Sequence, residues 1–285
     1  MQPLIFRSQY DESINFVHTP ESGVGFFESR YVRRCKEKVA MYVSIQSGCD
    51  QGCKMCHLTK TKQTKKEDVT KEGIRSQLQP IIDHYRTQEE ADIVHINYMA
   101  RGEPLDNPVV LSEILSEVSA IMRENGIKNY LQLISTIFPT TYFDYGVGLA
   151  DIFGPNNVRV YYSFYSTDNK WRRRWFPKAA DYDTALFMLK EYWHQGGDVR
   201  IHMPFIKGQN DSEENIRSIV ETVQATGMNC DFNIVRYNDF DGTYEEAGLD
   251  HIEGMAEVIE TYGMKTKMIT RVGEDVAASC GMFYK

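Results

Sequence analysis

The sequence predicts an α/β fold in which helices cover a sheet of parallel strands. Seven short apolar runs, rich in β-branched and aromatic residues, have the length of strands. The segments between them repeat apolar residues with the period of a helix. Such regular alternation predicts parallel strands joined by right-handed crossovers. Two architectures remain open at this point, a barrel and a doubly wound sheet.

Each predicted element can be placed on the chain. The predicted strands are residues 40–46, 92–99, 130–136, 157–163, 199–205, 231–236 and 265–270. The predicted helices are about 70–86, 107–124, 180–194, 211–227 and 249–262. Ser212 and Thr184 are residue types that favour helix N-caps. Most of the chain is therefore expected to be one alternating catalytic domain, residues 39–271, between an N-terminal extension, 1–38, and a C-terminal tail, 272–285.

Composition narrows the class of protein. The 285 residues are 42% hydrophobic, which is enough for a buried core and excludes a disordered or fibrous chain. There are 32 Lys and Arg against 40 Asp and Glu, so any contact with nucleic acid must come from a local basic patch. The sequence contains neither a signal peptide nor an apolar run of membrane-spanning length. We therefore expect a cytoplasmic protein with no membrane partner.

Three of the six cysteines, Cys49, Cys53 and Cys56, fall within eight residues directly after a predicted strand. Three thiolates on one loop can bind three irons of a [4Fe-4S] cluster and leave the fourth iron open to a small molecule. A zinc site is the alternative, but it needs a fourth ligand. His57 is adjacent in sequence and poorly placed to reach the same ion, and no second cysteine pair follows.

A second motif, Gly102-Glu103-Pro104, follows the second predicted strand. Together with the CxxxCxxC loop it resembles the radical S-adenosylmethionine (SAM) superfamily. More narrowly, the chain resembles the RlmN/Cfr group, which methylates an adenine ring carbon in RNA. The resemblance implies a partial (β/α)6 barrel of the TIM type with a short N-terminal strand or hairpin extension. It also implies a [4Fe-4S] cluster, SAM, and an electron donor such as flavodoxin or ferredoxin.

The same resemblance implies a set of residues that contact SAM at the ends of successive strands. These residues are Gly102, Glu103, Ser135, Ser163, Phe164, Tyr165 and Asn238. Taken singly, each could be an ordinary loop or strand-end residue. All of them lie at carboxyl ends of predicted strands, however, and barrel active sites are built at that edge.

The tail contains Cys280, which resembles the family cysteine that becomes S-methylated. In that family one SAM methylates the cysteine, and a second SAM yields the radical that activates the methyl group for addition to adenine. The family also has a resolving cysteine seven residues before the cluster motif, where this chain has Tyr42. Cys35 lies a further seven residues back, roughly 23 Å along an extended strand, which is too far to replace the resolving cysteine unless the chain folds back. We expect Cys230 to be a core thiol.

Three further positions bear on the substrate. Glu28 resembles a family carboxylate proposed to handle a substrate proton, although an exposed hairpin glutamate is the alternative. Arg101 stands before the GEP motif, where the family usually has an uncharged Met-Gly pair at 100–101. Tyr165 likewise stands where the family has a histidine. The cation and the phenol are expected near the SAM or substrate pocket and hint at a different substrate.

The densest basic and aromatic stretch is Trp171, Arg172, Arg173, Arg174 and Trp175. Guanidinium groups suit phosphates and indoles suit bases, so the stretch is a candidate RNA contact. The alternative is the start of an amphipathic helix whose Trp side chains enter the core. RNA is the expected partner. The remaining alternatives are an enzyme of the same lineage with another nucleotide or small-molecule substrate, and a non-catalytic iron-sulfur sensor.

Overall fold

The structure is a computed structural model that describes residues 2–279 and 281–285. Its ten strands form one sheet, and their order across the sheet is their order in the chain. The strands are β1 (Leu4–Arg7), β2 (Ile14–His18), β3 (Phe27–Cys35), β4 (Lys38–Tyr42), β5 (Ile93–Tyr98), β6 (Tyr130–Thr136), β7 (Val158–Ser163), β8 (Asp198–Met203), β9 (Asp231–Ile234) and β10 (Thr266–Met268).

Strand direction divides the sheet into two parts. Strands β1 to β4 pair antiparallel, and β4 to β10 pair parallel. The sheet is open, with β1 and β10 at its two edges. The predicted α/β class with seven parallel strands and an N-terminal β extension is confirmed, and the extension is a three-stranded meander rather than a single hairpin.

Helices follow the parallel strands. They are α1 (His57–Lys60), α2 (Lys71–Tyr85), α3 (Pro108–Glu124), α4 (Leu149–Phe153), α5 (Asn169–Trp175), α6 (Tyr182–His194), α7 (Glu213–Thr226) and α8 (Leu249–Thr261). Ser212 caps α7 by accepting a hydrogen bond from the amide of Asn215 at 3.2 Å. The cap predicted at Thr184 is wrong, because α6 begins at Tyr182 and Thr184 lies inside its first turn.

Side chains alternate between the two faces of the parallel strands. On β5, Val94 and Ile96 are buried in the main hydrophobic core, which the helices share. His95 and Asn97, between and beyond them, face a cavity on the inner side of the sheet. The cavity has a volume of about 630 Å³. The outer face thus supplies the apolar core, and the curved inner face is left polar enough to hold a ligand.

The cavity has two ends because parallel strands all begin at one edge of the sheet and finish at the other. We call the end at the strand carboxyl termini the mouth and the opposite end the floor. No helix in the described part of the chain is both long enough and apolar enough to cross a membrane.

Candidate active site

The three clustered cysteines lie on the loop after β4, at the mouth of the cavity. The loop passes so close to a neighbouring segment at Gly48 that a Cβ there would stand 2.2 Å from the carbonyl oxygen of Lys65. Glycine at this position lets the two backbones touch. Cys49, Cys53 and Cys56 all line the cavity as a result.

The thiols are close enough to affect one another. Burial and the neighbouring Cys56 raise the pKa of Cys49, and burial with both neighbours raises the pKa of Cys53. The protein alone therefore keeps these groups neutral, whereas a cationic iron centre would favour their thiolate forms. Within the described residues, no three His, Cys, Asp or Glu side chains gather as tightly as one metal ion would require. A [4Fe-4S] cluster does not require this, because each thiolate binds a different iron; the donor set fits it.

His57, the fourth ligand considered for zinc, is turned elsewhere. It begins α1, and its Nε2 lies 3.3 Å from the carbonyl oxygen of Asn238. Its ring also lies 4.7 Å from the ring of Phe240. These contacts hold the imidazole outside the cavity lining, so His57 does not complete a zinc site with the three cysteines in this structure.

Glu103 is a buried carboxylate at the mouth, only 6% exposed. The backbone bends towards it at Gly102, whose φ of +95° is unfavourable for other residue types. The carboxylate accepts hydrogen bonds from the amides of Leu105 and Ile137, each at 3.3 Å. Among the described residues no cation pairs with it, and burial raises its pKa to about 7. A cationic ligand would supply the missing compensation.

Other predicted SAM contacts lie beside Glu103. Ser135 and Ser163 end neighbouring strands, line the cavity and have hydroxyl oxygens 3.4 Å apart. Asn238 and Tyr165 also line the cavity. Phe164 differs, because its side chain is fully buried behind the strand and stacks on Tyr162. Only its backbone is available to a ligand in the cavity.

The C-terminal tail crosses the mouth. Ser279, Gly281 and Phe283 line the cavity, and Asn238 donates a hydrogen bond to the Ser279 hydroxyl at 3.1 Å. Cys280 lies outside the described residues. Its two neighbours in the sequence, Ser279 and Gly281, line the same cavity as the cluster cysteines.

A buried charged group holds this tail in place. Glu28 forms ion pairs with Arg30 at 3.0 Å and with Arg101 at 2.6 Å, and it accepts a hydrogen bond from the Tyr284 amide at 3.0 Å. Arg30 donates to the Met282 carbonyl at 2.6 Å, and Arg101 donates to the Tyr284 carbonyl at 2.7 Å. The three side chains thus grip the tail backbone within a few residues of Cys280.

This arrangement corrects two expectations. Glu28 is fully buried rather than exposed or facing a substrate. Although burial opposes its charge, Arg30 and Arg101 hold its pKa below the ordinary value, so it remains ionised and is not a proton carrier at neutral pH. Arg101 is 1% exposed and faces Glu28 and the tail rather than the cavity, so it is not a substrate contact in this structure.

The basic and aromatic stretch forms α5, and its residues divide by burial. Arg172 and Trp175 are buried, and Arg172 donates to the Ser163 carbonyl at 3.3 Å, so neither is open to a substrate. Trp171 is half-buried and stacks on Trp175 at 5.0 Å. Arg173 and Arg174 are exposed. The helix alternative therefore describes most of this stretch.

The remaining cysteines and Tyr42 are also placed. Tyr42 lines the cavity at the mouth end of β4. Cys35, the last residue of β3, pairs in register with Lys38, which begins β4 at the floor end of the cavity. It therefore lies far from the position of a resolving thiol. Cys230 is fully buried, as expected of a core thiol.

Sequence reasoning missed Arg30 and Asn15. Asn15 donates hydrogen bonds to Glu28 at 2.9 Å and to the Val276 carbonyl at 3.0 Å. The alternating burial of a β-strand would place both residues on the face that also carries Glu28. Both residues bind a segment about 250 residues away in the chain, and no local sequence pattern indicates such a contact.

The chain is similar over nearly its whole length to RNA methyltransferases. A probable dual-specificity RNA methyltransferase RlmN of Clostridium beijerinckii is 25% identical over 286 residues, covering 97% of this chain and 75% of the relative. The dual-specificity RNA methyltransferase RlmN of Bdellovibrio bacteriovorus is 25% identical, covering 86% of this chain and 59% of the relative. The chain therefore spans about three fifths to three quarters of the length of these relatives. No protein-family model matches it.

A solved structure shows the same fold. A radical SAM methyltransferase from Sphaerobacter thermophilus superposes with a TM-score of 0.83 and 20% sequence identity, covering 98% of this chain and 80% of that chain. The resemblance to the RlmN group predicted from the motifs is confirmed, and so is the fold that it implied.

Proposed function

We propose that this relative of the RlmN methyltransferases is a radical SAM enzyme that transfers a SAM-derived carbon to an adenine ring carbon in RNA. One observation carries the proposal. A single cavity mouth brings together three thiols, the uncompensated Glu103 carboxylate and the tail on both sides of Cys280. A redox sensor would use the thiols alone, whereas a carbon-transfer enzyme uses all three features.

Cys49, Cys53 and Cys56 would hold the [4Fe-4S] cluster. When bound, the cluster supplies the electron that cleaves SAM. Flavodoxin or ferredoxin is the electron donor we propose. Since the thiols are neutral in the protein alone, loading of the cluster releases protons, and it should become easier as the pH rises.

Glu103 would bind the SAM ammonium group, and its burial explains why that contact is favourable. An ionised carboxylate without a cation is costly in a buried site, and a ligand ammonium removes this cost. Ser135, Ser163 and Asn238 line the same cavity and would contact polar groups of the same ligand. The free site is thus already shaped and charged for a cationic amino acid group.

The tail would present Cys280 as the carrier of the carbon. Glu28, Arg30 and Arg101 act as positioning residues, because their side chains hold the backbone of the tail. Tyr42 stands where the family has its resolving thiol. A substrate adduct on Cys280 should therefore be long-lived unless an external thiol releases it.

RNA would approach the rim beside α5, where Arg173 and Arg174 are exposed. The hint of a different substrate rested on a cation at position 101 and on Tyr165 in place of a family histidine. Pairing of Arg101 with Glu28 removes the first reason, whereas Tyr165 does line the cavity. RNA is the substrate class we propose, because the relatives of this chain are RNA methyltransferases. The acidic balance of the whole chain confines favourable contact with phosphates to such local sites.

The test uses protein reconstituted anaerobically with iron and sulfide, then supplied with SAM, dithionite and RNA. Deoxyadenosine and methylated adenine are measured by mass spectrometry. Cys49→Ala should abolish both products, whereas Cys280→Ala should still cleave SAM slowly and transfer no carbon. Cys35→Ala is the matched control and should behave as wild type, because Cys35 ends β3 opposite Lys38, at the floor end of the cavity.

Each contrary outcome identifies the part of the proposal that fails. Wild type that forms no deoxyadenosine leaves only the sensor. Carbon transfer by Cys280→Ala at the wild-type rate eliminates the methylated-cysteine route. A Tyr42→Cys variant should speed turnover if the missing thiol limits release, and an unchanged rate would contradict that explanation.

A further inference from the structure

The floor of the cavity has a different chemistry from its mouth. The early residues of the parallel strands meet there, and five of the side chains that line this end of the cavity are cationic. This cationic floor consists of Arg34, Lys38, Arg159, Arg200 and Lys267. Four residue steps along β4, roughly 13 Å, separate Lys38 from Tyr42 at the mouth. The floor is therefore distinct from the proposed SAM site.

Two carboxylates neutralise only part of this charge. Asp198 pairs with Arg159 at 2.7 Å and with Arg200 at 3.2 Å, and Asp231 also pairs with Arg200. Asp198 and Asp231 therefore neutralise the charges of Arg159 and Arg200. Arg34 donates its Nε hydrogen to the Thr270 carbonyl, which is neutral.

The two lysines remain without a counter-charge. They belong to β4 and β10, both line the cavity, and Lys267 is close enough to Lys38 to act on its charge. Within the described chain, no carboxylate forms an ion pair with either of them. Burial and the adjacent Lys267 lower the pKa of Lys38 to about 8. Two like charges held together in this way create a site where an anion would be stabilised by both.

A third group reports the same positive field. His95 lines the cavity on β5, which lies between Lys38 on β4 and Arg159 on β7 in the order of the sheet. Burial, together with the charges of Lys38, Arg159 and Lys267, lowers its pKa to about 4. A neutral imidazole still has one N–H group, which can donate a hydrogen bond to an oxyanion.

We propose that the cationic floor is a second binding site, which takes a phosphate group between Lys38 and Lys267. The proposal goes beyond the methyltransferase function and does not depend on it. The phosphate oxygens would accept hydrogen bonds from the two ammonium groups, with His95 as a third donor. Lys267 is exposed and Lys38 half-buried, so the site is reached from solvent without passing the mouth.

Thermal unfolding of the full-length holoenzyme tests this, with inorganic phosphate titrated against sodium chloride at equal ionic strength. Wild type should be stabilised by phosphate beyond the effect of chloride, with a dissociation constant of millimolar order or tighter. Lys38→Met and Lys267→Met should each weaken phosphate binding about tenfold or more. Lys36→Met is the matched control, because Lys36 is 84% exposed on the same hairpin and lies outside the cavity; it should bind phosphate as wild type does.

A second measurement needs no variant. Phosphate bound between the ammonium groups should raise the pKa of Lys38, which can be followed by NMR of the ¹³C-methylated lysines. Adenosine 5′-monophosphate is the comparison ligand: tighter binding than phosphate assigns the site to a nucleotide, and equal binding assigns it to free phosphate. The proposal is overturned if phosphate stabilises wild type no more than chloride does. It is equally overturned if both lysine variants respond as Lys36→Met does, or if the pKa of Lys38 stays unchanged at saturating phosphate.

Discussion

Replacing Glu103 by Gln should stabilise the protein and weaken its binding of SAM. Burial raises the pKa of this carboxyl from 4.5 to about 7. Because the folded pKa lies above the unfolded one, the cost of ionising the buried group starts as the pH rises past 4.5 and is complete above 7. At about 1.36 kcal/mol for each pKa unit, this cost amounts to about 3 kcal/mol.

The pH dependence is the decisive measurement. The advantage of the Glu103→Gln variant in the free energy of unfolding should grow from about 1 kcal/mol at pH 5.5 to about 3 kcal/mol at pH 8.5. The glutamine side chain of the variant could lose a hydrogen bond from the backbone amide of Leu105 or Ile137. This loss would lower the stability of the variant equally at both pH values, so the increase of about 2 kcal/mol between them would not change. Urea unfolding of cluster-free protein at the two pH values measures this increase.

SAM binding supplies the second half of the test. Loss of a charge-assisted contact should raise the SAM dissociation constant of the reconstituted protein about ten- to a hundredfold. Glu253→Gln, an exposed position on α8, is the control and should change neither quantity. A stability difference that does not vary with pH would refute the uncompensated carboxylate. An unchanged SAM affinity would refute its role as the ammonium ligand.

Three further outcomes are expected. Arg101→Met removes one partner of buried Glu28 and should cost about 3–5 kcal/mol in urea unfolding, together with faster release of the C-terminal residues by carboxypeptidase; an intact tail would show that Arg101 does not hold it. Gly102→Ala, at φ +95° and with its Cβ 2.8 Å from neighbouring side chains, should lower the melting temperature and the SAM affinity together, and wild-type melting would contradict the strain. The double change Arg173→Ala and Arg174→Ala should weaken RNA binding and reduce its salt dependence by about 1.4 in the logarithmic slope, whereas an unaltered slope would move the RNA contact elsewhere.

Periodicity predicted the sheet because the outer faces of its strands obey one simple rule. Val94 and Ile96 must be apolar to pack against helices, and that pattern is visible locally. The inner face has no such rule, since residues such as Lys38 and His95 look like surface residues in sequence. Their convergence depends on strand register, which only the assembled sheet determines.

The cluster loop and Glu103 were accessible from short motifs, because their chemistry requires fixed spacing within one loop. The grip on the tail was not. Glu28 was expected to face a substrate, yet its charge is satisfied by Arg101 and by the backbone of Tyr284, both far away in the chain. Trp175 was equally ambiguous, because a helix of seven residues is too short for its buried face to be read from period.

During synthesis on the ribosome, the strands of this sheet emerge in the same order in which they pair. Every strand after the first joins the one made immediately before it, so each pairing can form during synthesis. Glu28 is among the earliest residues made, yet it receives the amide of Tyr284 only 256 positions later. The first strands to leave the ribosome are therefore the last to acquire all their bonds. The tail is therefore the last segment to bind to the N-terminal strands. A stalled or shortened product could still form the sheet, but buried Glu28 would lack the hydrogen bond from Tyr284.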